Sequence, residues 1–109
     1  MHISWQSYTL PDASAYGAAL QLNGDGICAI ECPVTLTSTK LNVQASFDGS
    51  TWVPLHNPPG ALYQITVAAG KTEKVDPKDF AGIPWIKLAL ASTEGAARTI
   101  KISLTDVYI

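Results

Sequence analysis

An all-β fold, an antiparallel sandwich or barrel of about eight strands, is predicted by three features of this 109-residue chain. Turn-forming strings recur at short spacing: Pro11-Asp12, Asn23-Gly24-Asp25-Gly26, Cys32-Pro33, Asp48-Gly49, Asn57-Pro58-Pro59-Gly60, Ala69-Gly70-Lys71, Asp76-Pro77, Gly82-Ile83-Pro84 and Glu94-Gly95. Several of the runs between them alternate apolar and polar residues, the period of a half-buried strand. No window sustains apolar residues at the i, i+3, i+4, i+7 spacing of a helix. A chain of this length buries enough surface for one core, so residues 1–109 are expected to form a single domain.

Residues 1–16 read as an N-terminal arm, because Trp5, Tyr8, Leu10 and Tyr16 are hard to fit into one small core. Residues 17–22 and 26–32 read as a hairpin across the Asn23–Gly26 turn. In residues 41–48 the odd positions are apolar, which points Leu41, Val43 and Phe47 inward. Asp48-Gly49 permits a tight turn, and Thr51 and Trp52 begin the return strand, with the Trp52 ring available to cover the hairpin. Residues 62–68 form a further strand, opening at Leu62 or Tyr63, with Ile65 and Val67 on one face. Residues 76–82 suit one helical or 3₁₀ turn.

The last two strands are the clearest. In residues 85–90 the even positions Ile86, Leu88 and Leu90 face the core. In residues 98–105 the even positions again go inward. Asp106 then stands where the next core residue belongs, and Val107 and Ile109 take the apolar role. Such a one-residue phase slip predicts a β-bulge near Thr105 and Asp106.

Charge is scarce and unevenly placed. Charged residues are 15% of the chain, against roughly 25% in an average soluble domain. The formal net charge of −2 gives no electrostatic footprint for nucleic acid. Six of the sixteen charged residues fall between Lys71 and Asp79, which reads as a solvated loop or short edge strand. The first 39 residues contain no Lys or Arg. Strand edges are normally protected by Lys, Pro or bulges, and the N-terminal third has little of this. An apolar, weakly charged exterior rich in aromatic residues is what subunit contacts look like.

The chemistry-bearing residues do not assemble into a catalytic set, and no enzyme is expected. Cys28 and Cys32 in one strand would lie about 13 Å apart, too far for a mutual disulfide, and read as reduced structural thiols of a protein made in a reducing cytosol. A zinc site needs about four ligands, and His2 and His56 are far away in sequence. The acids form no dyad at recognisable spacing. Asn23-Gly24-Asp25-Gly26 reads as a turn with positive φ at its glycines and only weakly as a calcium loop. No metal, cofactor or catalytic residue is therefore expected. The N-terminus lacks the basic and apolar regions of a secretory signal, and no apolar run approaches the roughly 20 residues of a membrane span.

The chain resembles small β-sandwich structural proteins of tailed bacteriophages, of the head cement and decoration kind. The resemblance covers residues 41–108. It is carried by Phe47-Asp48-Gly49-Ser50-Thr51-Trp52-Val53-Pro54-Leu55, the Gly70-Lys71 turn, Val75-Asp76-Pro77-Lys78-Asp79-Phe80-Ala81-Gly82-Ile83-Pro84-Trp85-Ile86-Lys87-Leu88, and the closing Arg98-Thr99-Ile100-Lys101-Ile102. Pro84-Trp85-Ile86-Lys87 departs from the family's more common aromatic-x-Arg opening. The Asp48 turn is also similar to the Asp-Gly-x-x-Trp hairpin of discoidin-like sandwiches and to the Asp-box of sialidase-like propellers, where it is mainly structural.

The resemblance implies a jelly-roll-like sandwich with a non-enzymatic role in the virion. The expected partners are the major capsid protein and further copies of the chain, as a homodimer or homotrimer, with neither nucleic acid nor membrane. The expected place is the capsid exterior, after synthesis in the host cytoplasm. The expected contact residues are Trp5, Tyr8 and Tyr16 in the arm and Tyr108 and Ile109 at the C-terminus. The alternatives are a neck or tail adaptor and a carbohydrate-binding sandwich, in which Trp52, Trp85 and Tyr63 would stack on sugar rings.

Overall fold

The structure is a computed structural model and describes residues 3–12, 15–58 and 60–107. Among these, nine strands form two antiparallel sheets. They are β1 (Ile3–Leu10), β2 (Leu20–Gln21), β3 (Asp25–Glu31), β4 (Lys40–Ser46), β5 (Val53–Pro54), β6 (Gln64–Thr66), β7 (Thr72–Lys74), β8 (Trp85–Leu90) and β9 (Arg98–Asp106). One sheet runs in the order β1-β9-β3-β7. The other runs β2-β8-β4, with both β5 and β6 alongside β4. β5 pairs with the end of β4 at Gln44 and Ala45, and β6 with its start at Lys40, Leu41 and Asn42. These two short strands share one position, so nine strands fill eight places. The chain changes sheet at every step from β1 to β4 and again from β6 to β9. This wrapping gives a jelly-roll sandwich.

Period-two patterning fixes the inner faces. Leu41 and Val43, then Ile86, Leu88 and Leu90, then Ile100, Ile102 and Leu104 are all buried in one cluster. Tyr63, Ile65 and Val67 line the same core from around β6. Pro77–Phe80 forms the expected 3₁₀ turn, whose start is capped where Asp76 accepts a hydrogen bond from the Lys78 amide. The turn seats Phe80 in the end of the sandwich, edge-on to Tyr63 with ring centroids 5.9 Å apart. The carbonyl of Pro77 lies against Gly26 of β3, where no Cβ fits. The charged stretch after Lys71 includes β7, an edge strand, as its composition predicts.

At the opposite end Glu94 ties three segments together. Its carboxylate accepts hydrogen bonds from Thr37 N and Oγ1, from Ser38 N and from Arg98 Nε. Asp12 holds the same loop, which crosses from β8 to β9, by accepting the amides of Glu94 and Gly95. These bonds outweigh the burial that opposes ionisation, and the Glu94 carboxyl is held down to about 2.

Four expectations are corrected. Residues 3–10 are not an arm but the edge strand β1, paired along its whole length with β9. The Asn23-Gly24 turn is tight, with φ of 52° and 87° and the Asp25 amide bonded to the Leu22 carbonyl at 2.9 Å. It is a corner and not a hairpin, since β2 belongs to one sheet and β3 to the other. The bulge lies in β3, where the register with β9 slips between Ile27 and Ala29. Cys28 is the extra residue, so Ile27 and Ile30 both point inward despite a spacing of three. Phe47, expected in the core, is 81% exposed. The alternation of β4 ends at Ser46, whose buried hydroxyl starts the next turn.

Candidate interaction surface

β1 lies at the edge of its sheet, and its eight residues include no charge, no proline and no bulge. Its outward side chains are Ile3, Trp5, Ser7 and Thr9. Ile3 and Trp5 are 61% and 66% exposed. Trp5 walls a shallow depression of about 410 Å³ on the outer face, floored by Ala29 and Ser103. The Lys101 ammonium sits 5.6 Å from the Trp5 ring centroid and 3.8 Å from Glu31. The charge nearest this tryptophan is thus already paired.

The other expected contact residues divide. Tyr8 is buried and is not a surface group, because it alternates with Ser7 and Thr9 and faces inward with Leu10. Its hydroxyl donates to the Ala18 carbonyl at 2.7 Å and accepts the Leu88 amide at 3.0 Å. Burial raises its pKa, although the Leu88 bond acts the other way. Tyr16 is half-buried and bridges the backbone of Ala89. Tyr108 and Ile109 lie outside the described residues.

A second apolar surface surrounds the Asp48 turn, which sequence reasoning missed by placing Phe47 in the core. Asp48 Oδ1 accepts the Ser50 and Thr51 amides at 2.8 Å each and the Ser46 hydroxyl at 2.9 Å. Ser46 Oγ in turn accepts the Gly49 amide at 2.9 Å. These bonds, chiefly from Thr51 and Ser50, hold the Asp48 carboxyl down to about 2. The turn is therefore rigid, and it presents Phe47 to solvent. Beside Phe47 lies a depression of about 610 Å³ lined by Val53, Pro54, Leu55 and Ile83. Its residues do not overlap with those around Trp5. The one legible signal was the Ser46–Asp48 pair itself, since Ser and Asp two residues apart close such turns.

The aromatic trio of the carbohydrate reading does not assemble. Tyr63 is buried and its hydroxyl donates to Asp79 at 3.0 Å. Trp52 and Trp85 remain half-exposed on the outer face of the β8 sheet. Lys87 covers Trp52, with its ammonium 4.4 Å from the ring centroid, and Trp85, not Trp52, lies over the Asp48-Gly49 turn. Neither cysteine is in a disulfide, and burial pushes the Cys32 thiol up. Among the described residues no three His, Cys, Asp or Glu side chains are grouped to hold a metal ion, and no helix is long and apolar enough to cross a membrane.

No protein-family model and no curated protein matches the sequence. Among solved structures the chain is similar to the SPBc2 prophage-derived protein YomS, over 96% of each chain, with a TM-score of 0.53 and 13% identity. At that identity the likeness is one of fold: the chain shares its sandwich with a protein of prophage origin.

Proposed function

We propose that the chain is a non-enzymatic structural protein of a phage particle: a cement or decoration protein of the capsid exterior that associates with itself and bridges major capsid subunits. The observation that carries this reading is the presence of two separate apolar surfaces on one small domain, one at Ile3 and Trp5 on β1 and one at Phe47 and Val53 beside the Asp48 turn. A bridging protein needs at least two contact surfaces, and exposed aromatic residues on rigid supports are the usual anchors. Burying them against neighbours removes apolar area from water, and the repeats of a shell multiply weak contacts. The scarcity of charge and the fold shared with a prophage-derived protein support the same reading. Neither nucleic acid nor membrane has a part in it, and synthesis is in the host cytoplasm.

The test is co-sedimentation with heads built from the major capsid protein of the same genome. The reading expects saturable binding at a fixed ratio to the capsid subunit, weakened by Phe47→Asp in a protein that still folds. A wild-type chain that stays in the supernatant at every concentration overturns it. A second reading, carbohydrate binding through Trp85 and Trp52, is favoured only by their shared outer face. A glycan response of the isolated chain that Trp85→Ala abolishes would support it.

A further inference from the structure

We infer that the self-contact is made by β1 pairing antiparallel with β1 of a second copy, with Trp5 opposite its counterpart on the two-fold axis. The inference rests on the self-association in the reading above and names the surface that makes it. An edge strand carries a row of backbone donors and acceptors that a further strand can take up. The β7 edge carries Lys74 next to Glu73. The β5 and β6 edge is made of two short pieces. The β2 edge is two residues long. β1 offers eight residues without any such protection.

Charge selects the second copy as the occupant. In a two-fold contact every residue meets the same strand, so a charge near the axis faces its like. β1 has none, and Lys101 beside Trp5 is balanced by Glu31. A charged partner segment would find no counter-charge along this edge, whereas β1 itself is a matching uncharged strand.

Two observations set the register. The backbone carbonyl of Thr9 is covered although its side chain is exposed, because Gly17 packs so closely that an added Cβ would stand 2.6 Å from that oxygen. The open part of the edge is therefore residues 3–7, whose centre is Trp5. Gln6 is exposed and Ser4 only half-buried although both lie on the inner face with Tyr8 and Leu10, so this end of β1 is uncovered on both sides. Antiparallel strands keep faces matched only when paired residues share parity. Centring on Trp5 then sets Ile3 against Ser7 and Ser4 against Gln6 of the other copy. The two four-stranded sheets become one of eight strands, with both tryptophans side by side on its outer face.

Sedimentation velocity on the full chain, with cysteines kept reduced, tests the pairing. Wild type is expected to reach a dimer in the micromolar range. Trp5→Lys, a change at an exposed position, is expected to keep the circular-dichroism spectrum of the folded sandwich and weaken the dimer by about tenfold or more, as loss of an aromatic anchor does. Phe47→Asp is expected to leave the dimer intact. Mild oxidation should cross-link the Ser4→Cys/Gln6→Cys double variant into a covalent dimer and neither single variant. A wild-type monomer at high micromolar concentration, a dimer dissolved by Phe47→Asp but not by Trp5→Lys, or a double variant that does not cross-link overturns the inference. A monomer that still decorates heads defeats the pairing alone, and a β1 dimer with no affinity for heads defeats the virion role alone.

Discussion

The hydroxyl of Tyr8 reaches from one sheet into the backbone ladder of the other, where it accepts the Leu88 amide at 3.0 Å. It donates its own hydrogen bond to the Ala18 carbonyl at 2.7 Å. Direct backbone pairing exists on either side, from the Gly17 amide to the Leu88 carbonyl and between Leu20 and Ile86. The phenol therefore stands in for one missing bond between the Ala18 segment and β8.

Tyr8→Phe keeps the ring and removes that bridge. It leaves the Leu88 amide buried without a partner, which costs about 1–3 kcal/mol. Urea unfolding should show a lower midpoint with an unchanged slope.

Acid should loosen the protein at the Glu94 end and at the Asp48 turn. Both carboxyls are lowered in the fold, to about 2, from ordinary carboxyl values of 4.5 and 3.8. A depressed pKa stabilises the fold at pH above the unfolded value, and that stability is lost as pH falls through the folded one. The melting temperature should therefore fall from about pH 4.5 down toward pH 2. Glu94→Gln should lower it at pH 7 and flatten its decline on the acid side. A Glu94→Gln protein with the wild-type acid profile contradicts this assignment.

Gly26→Ala should destabilise. The Pro77 carbonyl lies where the new methyl must go, and relieving an overpacked contact costs about 1–3 kcal/mol. Thermal unfolding measures it, and the 3₁₀ turn is expected to be the part that moves.

Phe47 and Leu88 should separate surface from core. Phe47→Ser removes an 81% exposed ring and should change stability by no more than about 0.5 kcal/mol. Leu88→Ala empties a fully buried site and should cost about 2–5 kcal/mol. Denaturant titration of the two variants tests whether the apolar ring of the Asp48 turn is there for the core or for a partner.

The inner faces of β4, β8 and β9 were legible because polar and apolar residues alternate there without interruption. Phe47 was misplaced by extending that alternation one step past Ser46, where side-chain hydrogen bonds take over from the ladder. The phase change in the sequence lies in β9 and points to a bulge there. The extra residue is Cys28 in the partner strand, and pairing between strands is not written in either one alone. Tyr8 was readable from its alternation with Ser7 and Thr9, but an N-terminal third without Lys or Arg gives little contrast between core and surface. Trp5, one of the aromatic residues hard to fit into one small core, is 66% exposed on the outward side of β1. The carbohydrate trio failed at Tyr63, which belongs to the inward set with Ile65 and Val67.

The proposed role requires that other protein copies cover this domain on a phage head. Imaging heads made with the gene intact and with it deleted gives the decisive comparison. Intact heads should carry jelly-roll density at repeating positions, with β1 and the Phe47 turn both in contacts, and this density should disappear on deletion. Heads of identical mass and surface density in the two preparations would contradict it.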